Sequence, residues 1–124
     1  FGGNPLAMAA AKVILEVLSE EGFLADVRAR ALHLDDALLS LQRQFPKAIA
    51  ECRGRGFLRG IKLNEKIDLA EFVKTLRDDR LLCVPAAENT LRLLPPLTIS
   101  KVEIDLAVAK IATALSDIPK NDSQ

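Results

Sequence analysis

Tryptophan and tyrosine are absent from this chain, which leaves five phenylalanines as its only large aromatic residues. Single-stranded nucleic acid is usually held on aromatic platforms where bases stack, so that function class loses its surface here. The 17 basic residues are balanced by 17 acidic ones, and the two signs are interspersed along the chain. No clustered basic face is available to neutralise a phosphate backbone, and no nucleic-acid partner is expected. Two cysteines, Cys52 and Cys83, and one histidine, His33, stand apart without partners at ligand spacing. Neither a disulfide framework nor a metal site is suggested. No apolar run approaches the roughly 20 residues of a membrane span, and there is no basic-then-apolar leader. A cytoplasmic protein with reduced, buried thiols and no membrane partner is the default expectation.

What is present suits a folded domain. The chain has 124 residues, of which 49% are hydrophobic and 27% charged, enough for one core that buries roughly two-thirds of the unfolded chain's surface. It opens Phe1-Gly2-Gly3-Asn4-Pro5 without a Met, which reads as the middle of a longer protein, and residues 119–124 read as a polar tail.

Hydrophobic periodicity gives the order α-α-β-α-β-β-α. Asn4 and Pro5 are start signals for a first helix at about 5–21, with Leu6, Ala10, Val13, Ile14, Val17 and Leu18 at helical spacing. Gly22 is placed as a left-handed cap, after which Val27, Ala31, Leu34, Leu38, Leu41 and Phe45 mark a second helix, stopped by Pro46. The segment from Ala48 to Leu63 reads as a bent strand pair or one strand broken by a glycine bulge. Asp68 with Glu71, and Ser100 with Glu103, have capping-box spacing and open two further helices. Their apolar stripes are Leu69, Phe72, Val73, Leu76 and Ile104, Ala107, Val108, Ile111, Leu115. Between these helices short strands are expected at Leu81–Val84 and Thr90–Leu94, joined by a loop from Pro85 to Asn89. The fold class is α+β, with helices packed on one face of a small, mostly antiparallel sheet. Residues 1–118 are one domain including the connecting helix at about 5–21.

Few residues carry candidate chemistry. Gly54-Arg55-Gly56-Phe57-Leu58-Arg59-Gly60 is glycine-rich, but its spacing is G-x-G-x-x-x-G and a strand follows it, whereas a dinucleotide site needs G-x-G-x-x-G opening a helix. A bulge or a close backbone approach explains these glycines. His33 is expected as a partly exposed residue in mid-helix, and the acid pair Asp35-Asp36 as part of a solvated face. None of the eight lysines stands out as a nucleophile.

Arg92 is different, because its permanent cation sits among leucines in Asn89-Thr90-Leu91-Arg92-Leu93-Leu94-Pro95-Pro96-Leu97. Alternation along a strand sends Leu91 and Leu93 to one face and Thr90, Arg92 and Leu94 to the other. A guanidinium beside such neighbours needs an anion. Two readings stand: an ion pair inside the domain, or a clamp for a ligand carboxylate at a strand end, which the planar fork fits bidentately.

Phe1-Gly2-Gly3-Asn4-Pro5-Leu6-Ala7, then Arg53-Gly54-Arg55-Gly56-Phe57 with Gly60, then Glu88 to Leu97 occur in an order that resembles the C-terminal part of the acetylornithine and ornithine aminotransferases. These are pyridoxal-phosphate (PLP) enzymes of the class-III group, and the resemblance extends to about Leu115. It implies the small domain of a fold-type-I transferase, acting in arginine biosynthesis on N-acetylornithine and the glutamate/2-oxoglutarate pair, as a homodimer. It also implies that Arg92 grips the substrate α-carboxylate. Phe1, Gly2, Gly3 and Asn4 would flank a threonine, missing here, that reaches the PLP phosphate. The Schiff-base lysine, the aspartate facing the pyridine nitrogen and the phosphate-cradling loop are missing as well. The complete enzyme would use PLP, while this chain alone is expected to bind none, to contain no catalytic residue and to be inactive. Outside that resemblance, the residues also permit a stand-alone module that binds a carboxylate metabolite or regulates, or a purely structural interaction domain if Arg92 is locked in an internal salt bridge.

Overall fold

A computed structural model describes residues 21–119. The helix expected at about 5–21, the Phe1–Asn4 segment and most of the polar tail lie outside these described residues.

Helix α1 spans Glu21–Gln44, and its stripe buries Leu34, Leu38 and Leu41 while Val27, Ala31 and Phe45 pack beside them. An apolar residue every three or four positions places all of these on one face. The helix ends two residues before Pro46, which cannot supply a helical N–H. Gly22 lies within the first turn, without a positive φ. The expected left-handed cap is therefore not formed, because the helical run begins before this glycine.

Strands β1 (Ile49–Arg55) and β2 (Leu58–Leu63) form an antiparallel hairpin with a register shift between Ile49 and Glu51. The two-residue connection is Gly56-Phe57, and Gly56 has φ 58°, the sign that the primed hairpin turns require at their first central position. Helix α2 covers Leu69–Asp78, and the Asp68 carboxylate accepts from the Glu71 N–H at 3.2 Å. It closes with Arg80 at φ 64°, where the Leu81 N–H donates to the Leu76 carbonyl at 2.8 Å and the Arg80 N–H to the Arg77 carbonyl at 2.9 Å. This is the Schellman arrangement, with arginine where glycine is usual.

Strands β3 (Val84–Ala86) and β4 (Thr90–Leu93) follow. β3 lies further along than the expected Leu81–Val84, and it contains Pro85. Its place at the sheet edge explains the tolerance, since an edge strand can leave one position without a ladder donor. The residues after the Schellman turn are spent on leaving α2. Helix α3 spans Lys101–Ser116 behind a complete capping box, in which Glu103 N–H donates to Ser100 Oγ and Ser100 N–H to Glu103 Oε1, each at 3.1 Å. Hydrogen bonding to its carboxylate from the Ser100 backbone N–H, and after it from the Ser100 side chain, holds the Glu103 carboxyl below its ordinary range.

The sheet order is β1-β2-β4-β3, antiparallel throughout. Ile61 and Leu91, paired across its middle, have no exposed surface. They meet Leu38 and Leu41 of α1, Phe72 and Leu76 of α2, and Ile104, Ile111 and Leu115 of α3 in one buried cluster. The helices cover one face and the expected α+β class is what forms. Both cysteines are free but only half-buried, which corrects the expectation of buried thiols.

Arg30 joins α1 to the segment after β4. Its Nη1 donates to the carbonyls of Leu97 and Ile99, each at 2.5 Å, and its Nε to Asp26 at 3.0 Å. The guanidinium also lies 5.7 Å from the Phe57 ring centre. Such a contact adds cation–π attraction to the hydrogen bonds.

Two measurements check this account. Gly54 has φ 106°, and a Cβ there would lie 2.0 Å from the Leu58 carbonyl oxygen. Gly54→Ala is expected to cost more than about 2 kcal/mol in urea unfolding, through overlap and backbone strain. Gly22→Ala, which meets nothing within 4 Å on a helix, is expected to gain about 0.5 kcal/mol. Burial pushes the Cys83 thiol from an ordinary 9.0 up to about 11. The folded state thus holds this proton more tightly, so its contribution is complete below pH 9.0 and is lost as pH rises toward 11. Stability measured against pH is expected to fall in that window more steeply for the native chain than for Cys83→Ala.

Candidate functional site

Strand alternation divides the sheet residues between a helix-covered face and an open one. The register places Arg53, Gly60, Arg92 and Val84 in one row across β1, β2, β4 and β3. The next row on the same side is Glu51, Lys62, Thr90 and Ala86. Arg53, Gly60 and Arg92 of the first row and Thr90 and Ala86 of the second line an open groove of about 510 Å³, together with Leu58, Glu88 and Leu94. Arg92 is exposed there, not buried as its leucine neighbours suggested. The leucines on either side of it point to the opposite face, where Leu91 is fully buried.

Gly60, beside Arg92, makes room for the Thr90 side chain. A Cβ at this position would come within 3.0 Å of the Thr90 Cγ2, so the floor beside Arg92 is tightly closed against anything larger. Leu58 and Leu94 are exposed at the apolar end of the groove, 67% and 54% respectively. A guanidinium with exposed leucines beside it can receive a carboxylate and bury part of an attached hydrocarbon.

The arginines of this region have different partners. Arg53 donates from Nε to Glu51 at 2.9 Å and from Nη1 to Glu88 at 2.8 Å. Hydrogen bonding to Arg53 holds the Glu88 carboxyl below its ordinary range, and the two acids raise Arg53 in turn. Arg59 crosses to the helix side, donating to Asp35 at 2.5 Å and to the Gly56 carbonyl at 2.8 Å. Asp35 therefore belongs to an ion pair linking α1 with β2, which corrects the solvated-face reading. Arg92 has no ion pair or side-chain hydrogen bond among the described residues. Of the two readings open in the sequence, the internal salt bridge is not formed within residues 21–119.

The turn that closes the groove is fixed from below. Glu88 and Asn89 have φ 61° and 54°. Asn89 Nδ2 donates to the carbonyls of Asn64 and Ile67, at 2.9 and 3.0 Å. His33 remains a partly exposed helix residue, 2.6 Å from Asp105 on α3. No group of three or more His, Cys, Asp or Glu side chains suited to a metal occurs among the described residues, and no described helix is long and apolar enough to cross a membrane.

Sequence reasoning singled out Arg92 but missed Arg53 and Glu88 as a pair. They lie 35 positions apart, and only the strand order brings them together. The signal in the sequence was weak: one more arginine in a glycine-rich segment, and one acid before a strand.

This architecture has relatives. A family model described as aminotransferase class-III matches residues 1–115. An acetylornithine aminotransferase from Mesorhizobium japonicum is 44% identical over 114 residues, covering 90% of this chain and 27% of that protein. Among solved structures, a lysine aminotransferase from M. tuberculosis superposes with a TM-score of 0.78 at 34% identity, over 88% of this chain and 25% of its own. An N-acetylornithine aminotransferase from Stenotrophomonas maltophilia does so with a TM-score of 0.76 at 28% identity, over 93% and 32%. The chain thus spans about a quarter to a third of the length of these relatives. With the family model matching nearly its whole length, the chain belongs to the class-III aminotransferases.

Proposed function

We propose that this chain is the C-terminal small domain of a PLP-dependent aminotransferase, and that Arg92 holds the α-carboxylate of its substrates. The observation that carries this reading is the exposed Arg92 guanidinium on the open sheet face, without an internal acid among the described residues. The amino donor proposed is N-acetylornithine and the acceptor 2-oxoglutarate, in a homodimer, as a step of arginine biosynthesis. Support for that choice comes from relatives named acetylornithine aminotransferase. Each substrate carries an α-carboxylate, so one arginine serves both half-reactions. Its fork fixes the direction of the carboxylate as well as its place, and so orients the adjoining amine or carbonyl.

The described residues do not by themselves fit PLP. The groove lining offers arginines but no lysine amine to join the cofactor's aldehyde, and no carboxylate free of an arginine to face a pyridine nitrogen. PLP supplies an electron sink when bound to a complete enzyme. The role assigned to this chain is confined to binding and orienting the substrate at Arg92.

A carboxylate-binding module that works alone is the competing reading, in which Arg92 and the exposed Leu58 and Leu94 of the groove hold a carboxylate and its hydrocarbon. Titrating the isolated chain separates the two. Added PLP is expected to give no stoichiometric absorption band and no turnover, and millimolar glutamate no heat of binding. A stoichiometric band with turnover would overturn the inactivity, and glutamate binding would favour the module.

In the full-length enzyme, Arg92→Ala is expected to lower kcat/KM about 100-fold for both donor and acceptor, the scale of losing a charge-paired hydrogen-bonded contact. Arg92→Lys is expected to recover less than about a tenth of the loss, since a point charge does not replace the fork. Steady-state kinetics with each substrate varied in turn provide the check, and unchanged values for both would end the assignment.

A further inference from the structure

Arg53 and Arg92 stand in one row of the sheet, each in register with Gly60 from the strand on either side of it. Neighbouring strands lie about 4.8 Å apart, which separates the two arginine Cα atoms by about 10 Å. Gly60 places no side chain between them, and both residues line the same groove. Two cations across a bare floor would suit a short dicarboxylate lying along the row. The charges are not equally available, however. Arg53 is held by Glu51 and Glu88, while Arg92 has no partner among the described residues.

Glu88 is placed for this contact at a conformational cost. Its φ of 61° is one that L residues seldom adopt, and the adjacent Asn89 anchors the turn through two side-chain hydrogen bonds. Its carboxyl also stays ionised below the ordinary range because of Arg53.

We propose that Glu88, with Glu51 beside it, determines the specificity of this groove by occupying Arg53, so that an incoming anion finds Arg92 as the one open cation of the row. The groove then takes one carboxylate, with an uncharged body toward Leu58 and Leu94, and disfavours a dicarboxylate laid along the row. A dicarboxylate acceptor such as 2-oxoglutarate places one carboxylate on Arg92 and directs the other out of the groove. This rests on the proposed role of Arg92 and adds how the binding direction is chosen.

The test is calorimetric titration of the full-length enzyme with butyrate and with glutarate, for the native protein, Glu88→Gln and Glu88→Gly. Glycine tolerates the positive φ, so the second variant removes the carboxylate while sparing the turn. In both variants the preference for glutarate over butyrate is expected to rise about tenfold, the scale of one added charge-assisted contact. Adding Arg53→Gln to Glu88→Gln is expected to cancel the gain. A preference that stays within twofold of native in either variant, or a gain that survives loss of Arg53, would overturn the proposal. Arg92→Ala separates the underlying reading: it is expected to abolish butyrate binding, and native-like butyrate binding there would sink the Arg92 assignment whatever the Glu88 variants do.

Discussion

Ile61 and Leu91, paired across the centre of the sheet with no exposed surface, press one side of it against all three described helices. Burial of apolar area is the main favourable term in folding, and here it acts on a single face. Because side chains alternate, holding these residues inward holds Gly60 and Arg92 outward. A shift of either strand by one residue would exchange the two sets and place a guanidinium in the core. The same burial that stabilises the fold therefore fixes the groove.

Polar ties complete the framework where the apolar core does not reach. Arg30 satisfies the carbonyls of Leu97 and Ile99 beyond the two prolines, a segment that has left the sheet and has no ladder of its own. Arg59 and Asp35 join β2 to α1. With Arg53 on its two acids, three arginines of this region have internal partners, and the chemistry of the groove follows from Arg92 being treated differently. Arginine suits both uses, since its fork can satisfy several acceptors at once inside the fold and can present a planar, bidentate face to a ligand.

Much of this was legible in the chain itself. The capping box at Ser100 and Glu103, the stripes of the helices and the faces of Leu91 and Arg92 follow from local periodicity and side-chain chemistry, which need no distant partner. Errors arose where local signals competed. Gly22 has the residue type of a cap but sits inside a helical run, and the apolar residues after α2 suggested a strand where a Schellman turn carries the chain away. Pro85, expected to open the loop to Asn89, lies instead within β3, which the sheet-edge position allows.

By itself, the sequence determined the class of fold, the position of Arg92 at the end of a short strand and the series of motifs that marks the class-III aminotransferases, because each depends on residue type and near spacing. Only the tertiary structure decided that Arg92 is exposed and without an acid among the described residues, that Arg53 shares its row across Gly60, and that Glu88 takes the Arg53 charge. These depend on strand order, which places β4 between β2 and β3. Strand order is set by how the helices share one apolar face, a property of the packed domain and of no single segment.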